Sequence, residues 1–447
     1  MCGILCLKST DKISISLRKF LNNLNTLQHR GNNSFGYSYN DESGELVSKM
    51  VKGLVRNYND LEINNISSNI FFGHLRYITS GSKSEDVAQP LIGTNKFGKF
   101  VFVFNGNISL PKYNKLFNTN FTVDTNLIKY YFEVYDKECV STKDLISEFI
   151  NIFDRAYSII FYLVEKDRIY MFRDKYGVRP LQYFVKDGIF QAGSEFSSIV
   201  NEVKAGEVVC LNSDNSIKSI YQHSGKTNMG NCLFEYIYFM NKNTTWNNIN
   251  VENARRKYGE ELSKIENDEI VLHKDKYIVI GIPNSGIPSA EAYSRILNID
   301  YHQYIVKNKN VDRTFILNSN KERIKSSKMK YLFNPELKGK NIIIFDDSIV
   351  RGITMKTLVS QLKKQGVNEI HIRIASPKIR YTCEYGIDMS DKNNLLVNKF
   401  SCDSDIVEFL GCDSLKYLDL DKFKNTMDNF GNMCTGCFNG NYKELEW

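Results

Sequence analysis

The second residue of the chain is a cysteine whose position lets one residue supply both a nucleophile and a base. Removal of the initiator Met1 would leave Cys2 with a free α-amino group beside its thiol. An α-amine has a reference pKa of about 8, so it can accept the thiol proton near neutral pH. The arrangement predicts attack by sulfur on a carbonyl carbon without a histidine. An unreactive, small apolar residue is the alternative for a lone cysteine.

A second group of reactive residues lies in the segment FDDSIVRGIT, Phe345–Thr354. At the end of a predicted strand, Asp346 and Asp347 can accept hydrogen bonds from ribose hydroxyls and approach a bound cation. The turn Ser348–Thr354 can then surround a phosphate with backbone N–H groups, hydroxyls and a helix N-terminus. Gly352 lets the backbone approach the phosphate closely. The segment predicts a phosphoribose site, and acids that only cap a helix are the alternative.

Two further segments favour the same interpretation. A predicted strand opens into Asn284–Gly286 before a helix, which is where open α/β sheets bind ligands. Lys307 and Arg313 lie in the basic segment KNKNVDRTFI, whose cations can clamp a pyrophosphate. Taken by itself, that segment would be a solvated run of charges.

Four of the ten cysteines could form a metal site. Cys434 and Cys437 form a Cys-x-x-Cys pair near the C-terminus, while Cys232 and Cys383 lie far earlier in the chain. Such a pair alone could bind zinc, be redox-active or be accidental, with zinc favoured. A disulfide framework is not expected, because an intracellular compartment keeps thiols reduced. The remaining cysteines besides Cys2 are predicted to be structural: Cys6, Cys139, Cys210, Cys402 and Cys412.

The elements that must position these residues divide the chain into two predicted domains, residues 1–227 and 228–447. The first contains short apolar runs separated by Gly and Asn turns, which predict many strands and few helices. The second alternates strands with helices, and this order predicts a mainly parallel sheet. Its predicted strands are Tyr277–Ile282, Lys340–Phe345 and Glu369–Ala375, and its predicted helices are Asn253–Lys264, Ser289–Leu297 and Met355–Lys364.

The composition limits the possible classes of function. The chain has 447 residues, 42% of them hydrophobic and 24% charged, which is typical of a globular protein of roughly two or three domains. Its net charge is +7, but 58 basic residues are interspersed with 51 acidic ones, so nucleic-acid binding is not expected. No apolar run is long enough to span a membrane, and the N-terminus has no apolar signal core. We therefore expect a soluble, cytoplasmic protein.

Five motifs of the first half are MCGI at residues 1–4, LQHRG at 27–31, GHLRY at 73–77, FNGNI at 104–108 and FRDKYGVRPL at 172–181. Together with Asp124 they resemble the glutaminase domain of N-terminal-nucleophile amidotransferases, which implies an αββα fold. Cys2 would attack the glutamine side-chain amide, and Asn105 with the Gly106 N–H would form an oxyanion hole. Taken separately, such residues could be surface ion pairs or a hairpin turn. The implied glutamine-binding residues are Arg76 at the α-carboxylate, Asp124 at the α-ammonium, Tyr77 and Gly31.

The segment Phe345–Thr354 resembles the phosphoribosyl pyrophosphate signature of the type I phosphoribosyltransferases, which implies an α/β second domain. With CLFEYIYF at residues 232–239, GIPNSGIPSA at 281–290 and YGIDMS at 385–390, nearly the whole chain resembles the amidophosphoribosyltransferases. A glutaminase domain alone leaves the acceptor open, since sugar-phosphate isomerases and ATP-cleaving synthases also carry one. The signature selects phosphoribosyl pyrophosphate as the acceptor.

The resemblance implies a reaction and the residues that serve it. Glutamine, phosphoribosyl pyrophosphate and water would give 5-phosphoribosylamine, glutamate and pyrophosphate, the first committed step of purine biosynthesis, with ammonia passed between two sites. A homotetramer inhibited by purine nucleotides is also implied. The implied binding residues are Lys307, Arg313, Asp346, Asp347, Ser348, Val350, Arg351, Gly352 and Thr354 for phosphoribosyl pyrophosphate, and Ser285, Asp346 and Asp347 for Mg²⁺.

The four candidate metal ligands also match the resemblance. Cys232, Cys383, Cys434 and Cys437 correspond one by one to the thiolates that hold a [4Fe–4S] cluster in the bacillus-like subgroup of the family. Four thiolates suit zinc or the cluster equally well in chemical terms, so the choice of iron rests on the resemblance.

Three departures from the family pattern bear on coupling between the sites. The segment 32–35 reads NNSF where Gln-Asp and a small residue are usual, Thr125–Asn126 follow Asp124 where Glu is customary, and Asn310 and Asp312 replace Tyr and Gly. A negative charge at Asp312 should oppose pyrophosphate binding. Two rival functions therefore stay open: a phosphoribosyltransferase that uses free ammonia, and a non-catalytic regulatory homologue.

Overall fold

The computed structural model describes residues 2–11, 13–58, 63, 65–77, 89–135, 139–225, 230–308, 330–387, 389, 391–427 and 433–442. The predicted phosphate ligand Arg313 and the loop residues Asn310 and Asp312 lie outside these ranges. The predicted boundary at residues 227 and 228 lies outside them as well.

In the described ranges the first half contains two large antiparallel sheets, the two-stranded sheet of Ile15–Ser16 and Ser67–Ser68, and four α-helices, as the turn-rich sequence predicts. The strands are β1 (Gly3–Ser9), β2 (Ile15–Ser16), β3 (Ser34–Asn40), β4 (Leu46–Lys52), β5 (Ser67–Ser68), β6 (Ile70–Arg76), β7 (Leu91–Asn95), β8 (Gly98–Gly106), β9 (Tyr157–Leu163), β10 (Arg168–Arg173), β11 (Gln182–Lys186), β12 (Ile189–Gly193), β13 (Asn201–Glu202), β14 (Glu207–Leu211) and β15 (Ile217–Gln222). The helices are α1 (Leu17–Thr26), α2 (Leu110–Phe117), α3 (Asp124–Val134) and α4 (Thr142–Ile152).

Successive residues of a strand point to opposite faces, so each sheet can pack against the other sheet on one face and against helices on its other face. The elements therefore form four layers. One sheet has the order β13-β11-β12-β1-β6-β3-β4 and the other β15-β14-β10-β9-β8-β7. In β1, Ile4 and Cys6 face the core between the sheets, whereas Leu5 and Leu7 pack with the apolar face of α1. The outer face of the second sheet packs with α3 and α4. The predicted αββα layering is confirmed.

The second half is an α/β unit with a parallel five-stranded sheet. The strands are β16 (Asn231–Cys232), β17 (Thr245–Trp246), β18 (Ile249–Asn250), β19 (Tyr277–Gly281), β20 (Asp300–Tyr301), β21 (Ile305–Lys307), β22 (Tyr331–Phe333), β23 (Asn341–Asp346), β24 (Glu369–Ile374), β25 (Ser414–Tyr417) and β26 (Met433–Cys434). The helices are α5 (Val251–Ser263), α6 (Asp268–Leu272), α7 (Ile287–Leu297), α8 (Ile353–Lys364), α9 (Asp403–Leu410), α10 (Leu420–Lys424) and α11 (Gly436–Asn439).

The order of the parallel sheet determines where a ligand can bind. The strands run β20-β19-β23-β24-β25, and every pairing is parallel. The segments that follow the neighbouring strands β19 and β23 therefore meet at one edge of the sheet. The predicted strands and helices of this half are confirmed, with ends that differ by one or two residues, as frayed element ends commonly do.

Candidate functional site

Sheet pairing places the N-terminal cysteine beside the end of β6. β1 runs antiparallel to β6 with Gly3 opposite Leu75, so Cys2 lies next to the segment that contains Arg76 and Tyr77. The Cys2 thiol lies 3.9 Å from the carbonyl oxygen of Tyr77. The Cys2 backbone nitrogen donates a hydrogen bond of 3.2 Å to Oδ1 of Asn105, the penultimate residue of β8. Two of the residues predicted to carry the glutaminase chemistry are thus in direct contact.

Asn105 and Gly106 are suited to stabilise negative charge on an oxygen. Asn105 is 1% exposed, and among the described residues its Nδ2 has no hydrogen-bond partner. A buried donor without a partner is costly unless a ligand accepts from it. A Cβ at Gly106 would lie 2.4 Å from the carbonyl oxygen of Ala156, so no other residue fits there. The strand end therefore has an unused donor directly beside the thiol.

Asp124 begins helix α3 and faces the same site. Removal from water, followed by the charge of Cys2, raises its pKa to about 6. The amide of Thr125 donates to Oδ1 of Asp124 at 2.9 Å, which fixes the carboxyl group. An anionic carboxylate this close to a nucleophile is an appropriate partner for a substrate ammonium.

His74 is a buried residue of this site that the motif analysis did not single out. It is 1% exposed, and neither ring nitrogen has a hydrogen-bond partner among the described residues. Burial, followed by the positive charge of Arg76, lowers the pKa of His74 to about 3. Its ring therefore remains neutral at physiological pH. The sequence signal for His74 is its position two residues before Arg76 in the motif GHLRY.

Gly31 lies where the chain passes very close to β6. A Cβ at this position would lie 2.5 Å from the carbonyl oxygen of Leu75, the residue before Arg76. The predicted glutamine-binding residues Gly31, Arg76 and Tyr77 are therefore gathered around the end of one strand, with Arg76 largely buried and Tyr77 partly exposed.

A buried ion network connects the nucleophile to the second half of the chain. The guanidinium of Arg30 is fully buried, and its Nε donates to the carbonyl oxygen of Cys2 at 3.3 Å. Its Nη1 lies 2.6 Å from Glu195, and its Nη2 lies 2.9 Å from Glu235. Glu235 starts a π-helical turn, Glu235–Phe239, in the segment CLFEYIYF. The two acids offset the cost of burying the cation, and the network fixes Cys2 relative to the second half.

The second group of predicted site residues converges at the edge of the parallel sheet. Ser285 follows β19, and its hydroxyl donates to Asp347, which follows β23. The hydroxyl of Ser348 donates to the other carboxylate oxygen of Asp347 at 2.5 Å. Removal from water and the neighbouring charge of Asp347 raise the pKa of Asp346 well above its usual value. Two adjacent carboxyl groups of this kind are poised to accept a cation, which would reverse that shift.

The turn after these acids leads directly into helix α8. Gly352 caps the helix with a φ of +78°, a conformation that favours glycine, and its missing side chain leaves room against Leu396. Val350 packs against the domain core and accepts a hydrogen bond from the Leu396 amide at 2.8 Å, which anchors the turn. Arg351 and Thr354 are exposed. The turn thus presents a helix N-terminus beside the two acids.

The cations predicted to clamp the pyrophosphate are only partly described. Lys307 ends β21 and is exposed. Lys330, which no sequence motif indicated, lies within electrostatic range of Asp346 and partly opposes the rise in the pKa of that acid. A second missed cation is Arg255 of α5, which is 4% exposed and interacts with the charge of Asp347.

Tyr238 lies between the two groups of site residues. Its hydroxyl is within electrostatic range of Tyr77 in the first half and of Asp346 and Asp347 in the second. The side chain is 52% exposed, so its surface borders open space. Tyr238 is therefore close to both groups of site residues, which the sequence could not reveal because Tyr77 and Tyr238 are far apart in the chain.

The four candidate metal ligands also converge. β16 pairs in parallel with β26, which places Cys232 opposite Cys434. Every pair among the four thiols interacts electrostatically, and Cys383 and Cys437 pack in the same core cluster. In the described part of the chain, no three His, Cys, Asp or Glu side chains are arranged closely enough to hold a metal ion. The four thiols therefore lie in one region, but their spacing is not that of a metal-binding group.

Comparisons with known proteins match both halves. The family model described as glutamine amidotransferase domain matches residues 34–258, and that described as phosphoribosyl transferase domain matches residues 245–403. An amidophosphoribosyltransferase of Pyrococcus horikoshii is 32% identical, over 99% of this chain and 96% of the relative. That of Methanothermobacter thermautotrophicus is 31% identical, over 99% and 94%.

A solved structure agrees with these relatives. The glutamine phosphoribosylpyrophosphate amidotransferase of B. subtilis, complexed with ADP and GMP, is 26% identical with a TM-score of 0.84. The match covers 99% of this chain and 97% of that one. Separately, no helix among the described residues is long and apolar enough to cross a membrane.

Proposed function

Because the chain belongs to the amidophosphoribosyltransferase family, we propose that its two sites act in sequence, the first releasing ammonia from glutamine and the second joining it to phosphoribosyl pyrophosphate. The proximity of Tyr238 both to Tyr77 and to the acids Asp346 and Asp347 supports this proposal. A small neutral molecule such as ammonia can pass between two neighbouring sites without being released to the solvent.

In the first step, the Cys2 thiol attacks the side-chain amide carbon of glutamine. Once Met1 is removed, the α-amine of Cys2 takes the thiol proton and returns it to the departing ammonia. The unused Nδ2 of Asn105, together with the Gly106 N–H, stabilises the oxyanion. Water then hydrolyses the thioester and releases glutamate. Arg76 pairs with the α-carboxylate of glutamine and Asp124 with its α-ammonium, while Tyr77 and Gly31 complete the pocket.

The raised pKa of Asp124 gives this step a testable pH dependence. Above pH 6 the carboxylate is charged and attracts the substrate ammonium, whereas below pH 6 it is protonated and the attraction is lost. We therefore expect KM for glutamine to rise by up to about tenfold per pH unit as the pH falls below that value. Initial rates of glutamate formation between pH 5 and pH 8 would measure the change.

Asp124→Asn is the control for this pH dependence. The amide cannot be charged, so KM should be high at every pH, and its pH-dependent rise should disappear. If KM in the variant still followed pH through the same range, another group would be responsible.

In the second step, ammonia attacks C1 of the phosphoribose and pyrophosphate leaves. We propose that Asp346 and Asp347 bind the ribose hydroxyls and that the turn Ser348–Thr354 holds the 5-phosphate. Lys307 and Arg313 are proposed to contact the pyrophosphate, with Lys330 as an additional cation. Mg²⁺ bound near Ser285, Asp346 and Asp347 would neutralise charge on the leaving group. The hydrogen bond between Ser285 and Asp347 supports that ligand set, since it already brings hard oxygen donors together.

One experiment tests the proposed function against its rivals. Pyrophosphate release is measured on one preparation with glutamine and then with ammonium salts as nitrogen donor. Release with both donors supports coupled sites if the rate with glutamine exceeds the rate with free ammonia at the same concentration. Release with ammonia alone would instead indicate an uncoupled phosphoribosyltransferase, and no release with either would indicate a regulatory homologue.

We also propose a domain boundary at residues 227 and 228 and a homotetramer inhibited by purine nucleotides. The relative from B. subtilis was solved with ADP and GMP, which supports nucleotide binding in this fold. Inhibition assays with both nucleotides and mass measurement in solution would test the two proposals.

We propose a metal centre, a [4Fe–4S] cluster, held by Cys232, Cys383, Cys434 and Cys437. Four sulfur donors suit the cluster or zinc, and here three separate chain segments bring them into one largely buried region. Binding would require the thiols to approach one another more closely, because their present arrangement does not enclose an ion. The centre would join the C-terminal segment to the start of the second domain and so add to folding stability.

Anaerobically purified protein is expected to be brown and to contain about four irons per chain, the iron content of such a cluster. Air exposure or Cys434→Ser should bleach it and lower its melting temperature, because metal bound only to the folded state stabilises that state. Activity should fall together with the amount of folded protein. Elemental and sulfide analysis measures the content, with Cys402→Ser as control, since Cys402 is exposed and outside the cluster.

Other metal contents would change the assignment. Stoichiometric zinc without iron or sulfide would replace the cluster by a zinc site. A protein free of metal would show that these cysteines form no centre in this chain.

A further inference from the structure

A buried arginine of the first half is shared by the nucleophile and by an acid of the second half. The Nε of Arg30 donates to the carbonyl oxygen of Cys2 at 3.3 Å, and its Nη2 donates to the two carboxylate oxygens of Glu235 at 2.9 and 3.0 Å. Its Nη1 donates to Glu195 of the first half at 2.6 Å. The side chains of Arg30 and Glu235 are fully buried. The backbone of Cys2 is therefore held, through Arg30, by acids from both halves of the chain.

The acid of the first half is also fixed by the second half. Oε2 of Glu195 accepts hydrogen bonds from the Asn241 amide at 2.8 Å and from the Thr244 hydroxyl at 2.7 Å. Asn241 and Thr244 follow the π-helical turn Glu235–Phe239, so one short segment of the second half positions both acids around Arg30. A guanidinium that is attracted by two carboxylates moves toward one of them when the other loses its charge.

The π-helical turn is itself fixed within the second half. Arg255 of α5 donates through Nε to the carbonyl oxygen of Tyr236 at 2.9 Å and through Nη2 to that of Met240 at 2.9 Å. The turn is closed by the hydrogen bond from the Met240 amide to the carbonyl oxygen of Glu235, at 2.9 Å. Such single π turns are rare and occur often at functional sites. The second half thus determines where the carboxylate of Glu235 meets Arg30.

The alignment of the reacting groups depends on the backbone that Arg30 holds. The Cys2 nitrogen donates to Oδ1 of Asn105 at 3.2 Å, and Nδ2 of the same Asn105 is the unused donor assigned to the oxyanion. Thiol, amine and oxyanion donor therefore keep their mutual positions only while the Cys2 backbone stays in place. A displacement of about 1 Å at a reacting group can lower a rate by on the order of a hundredfold.

We propose that Glu235 is a positioning residue for the nucleophile: this acid of the second half holds Arg30, and Arg30 holds the backbone of Cys2 in its reactive position. The inference rests on the proposed function, in which Cys2 attacks glutamine. The proposed binding sites for glutamine and phosphoribosyl pyrophosphate do not include Glu235, so its effect falls on the rate of ammonia release and not on affinity. The glutaminase half is fully active only when it is docked on the turn Glu235–Phe239.

Glu235→Gln tests the proposal, because the amide keeps the shape of the side chain and loses its charge. Its oxygen can still accept from Arg30, but its NH2 group cannot, so the guanidinium should shift toward Glu195 and away from the Cys2 oxygen. We expect kcat for glutamine hydrolysis to fall by about 10- to 100-fold, with KM for glutamine within about twofold of wild type. Synthesis with ammonium salts should stay close to wild type. Glu235→Asp keeps the charge and should recover part of kcat.

Glu266→Gln is the matched control. The oxygens of Glu266 accept from Nε and Nη2 of Arg373 at 2.5 and 2.7 Å, and both side chains are fully buried, so this substitution also deprives a buried arginine of its acid. Its Tm should fall, but the ratio of the rates with glutamine and with ammonia should equal that of wild type. Tm, glutamate formation at varied glutamine concentration and pyrophosphate release with each nitrogen donor are measured for every protein.

The outcomes separate this inference from the proposed function. If wild type hydrolyses glutamine and Glu235→Gln shows an unchanged kcat, or an equal loss with both nitrogen donors, the positioning role is overturned and the proposed function stands. A wild type that does not hydrolyse glutamine would overturn both together.

Thr244→Val decides the matter if Glu235→Gln is insoluble. The substitution keeps the size of the side chain and removes one hydrogen bond to Glu195. A fall in kcat with glutamine of about three- to tenfold, with an unchanged rate with ammonia, would support the proposal. Equal changes with both donors, or no change with either, would overturn it.

Discussion

Cys2→Ser is expected to abolish synthesis with glutamine, by on the order of 10³-fold or more, while synthesis with ammonium salts remains close to wild type. A serine hydroxyl holds its proton far more tightly than a thiol, so in a site built around a thiol the neighbouring amine generates the nucleophile much less readily. The phosphoribosyl site does not contain Cys2, and its acids are supplied by strand β23 and the turn that follows. The variant should therefore separate ammonia release from ammonia use.

Pyrophosphate release with each nitrogen donor provides the measurement. Cys402→Ser is the matched control, because Cys402 is an exposed cysteine outside both sites. The Arg30 network includes the backbone oxygen of Cys2, which the substitution does not change. The substitution should leave that network intact, and Tm should be unchanged. Equal loss of both activities would contradict separate sites.

Asp346→Asn combined with Asp347→Asn is expected to remove synthesis with either nitrogen donor and to spare slow glutamine hydrolysis. The amides cannot balance the charge of a magnesium ion at the leaving pyrophosphate, and they bind ribose hydroxyls less strongly than carboxylates do. We expect a loss on the order of 10³-fold in the rate of pyrophosphate release. Glutamate formation without phosphoribosyl pyrophosphate should continue at its basal rate.

Thermal stability separates this result from misfolding. Removal from water and the charge of Asp347 raise the pKa of Asp346, which means that the two acids are held together at a cost. Neutral amides lack that repulsion, so Tm of the double variant should be equal to or higher than that of wild type. Asp391→Asn, at an exposed acid, is the control. Synthesis near the wild-type rate would show that the phosphoribose binds elsewhere.

Most of the fold and much of the site were predictable from the sequence. The resemblance carried by the five motifs of the first half predicted its four layers, and the β-α-β order after residue 228 predicted the parallel sheet. Motifs such as FNGNI and FDDSIVRGIT carry their chemistry within ten residues or fewer. Local backbone geometry brings those residues together, so their order in the chain is sufficient to predict a site.

Contacts between distant segments were decided by the tertiary structure alone. Arg30 meets Glu235 across 205 positions, and Tyr238 interacts electrostatically with Tyr77 and with the acids at the sheet edge. The raised pKa of Asp124 likewise depends on removal from water, which no motif encodes. The sequence by itself determined which chemistry each segment could carry. The fold decided how the two chemistries face each other, because burial and long-range packing set the distances and charges between residues that are remote in the chain.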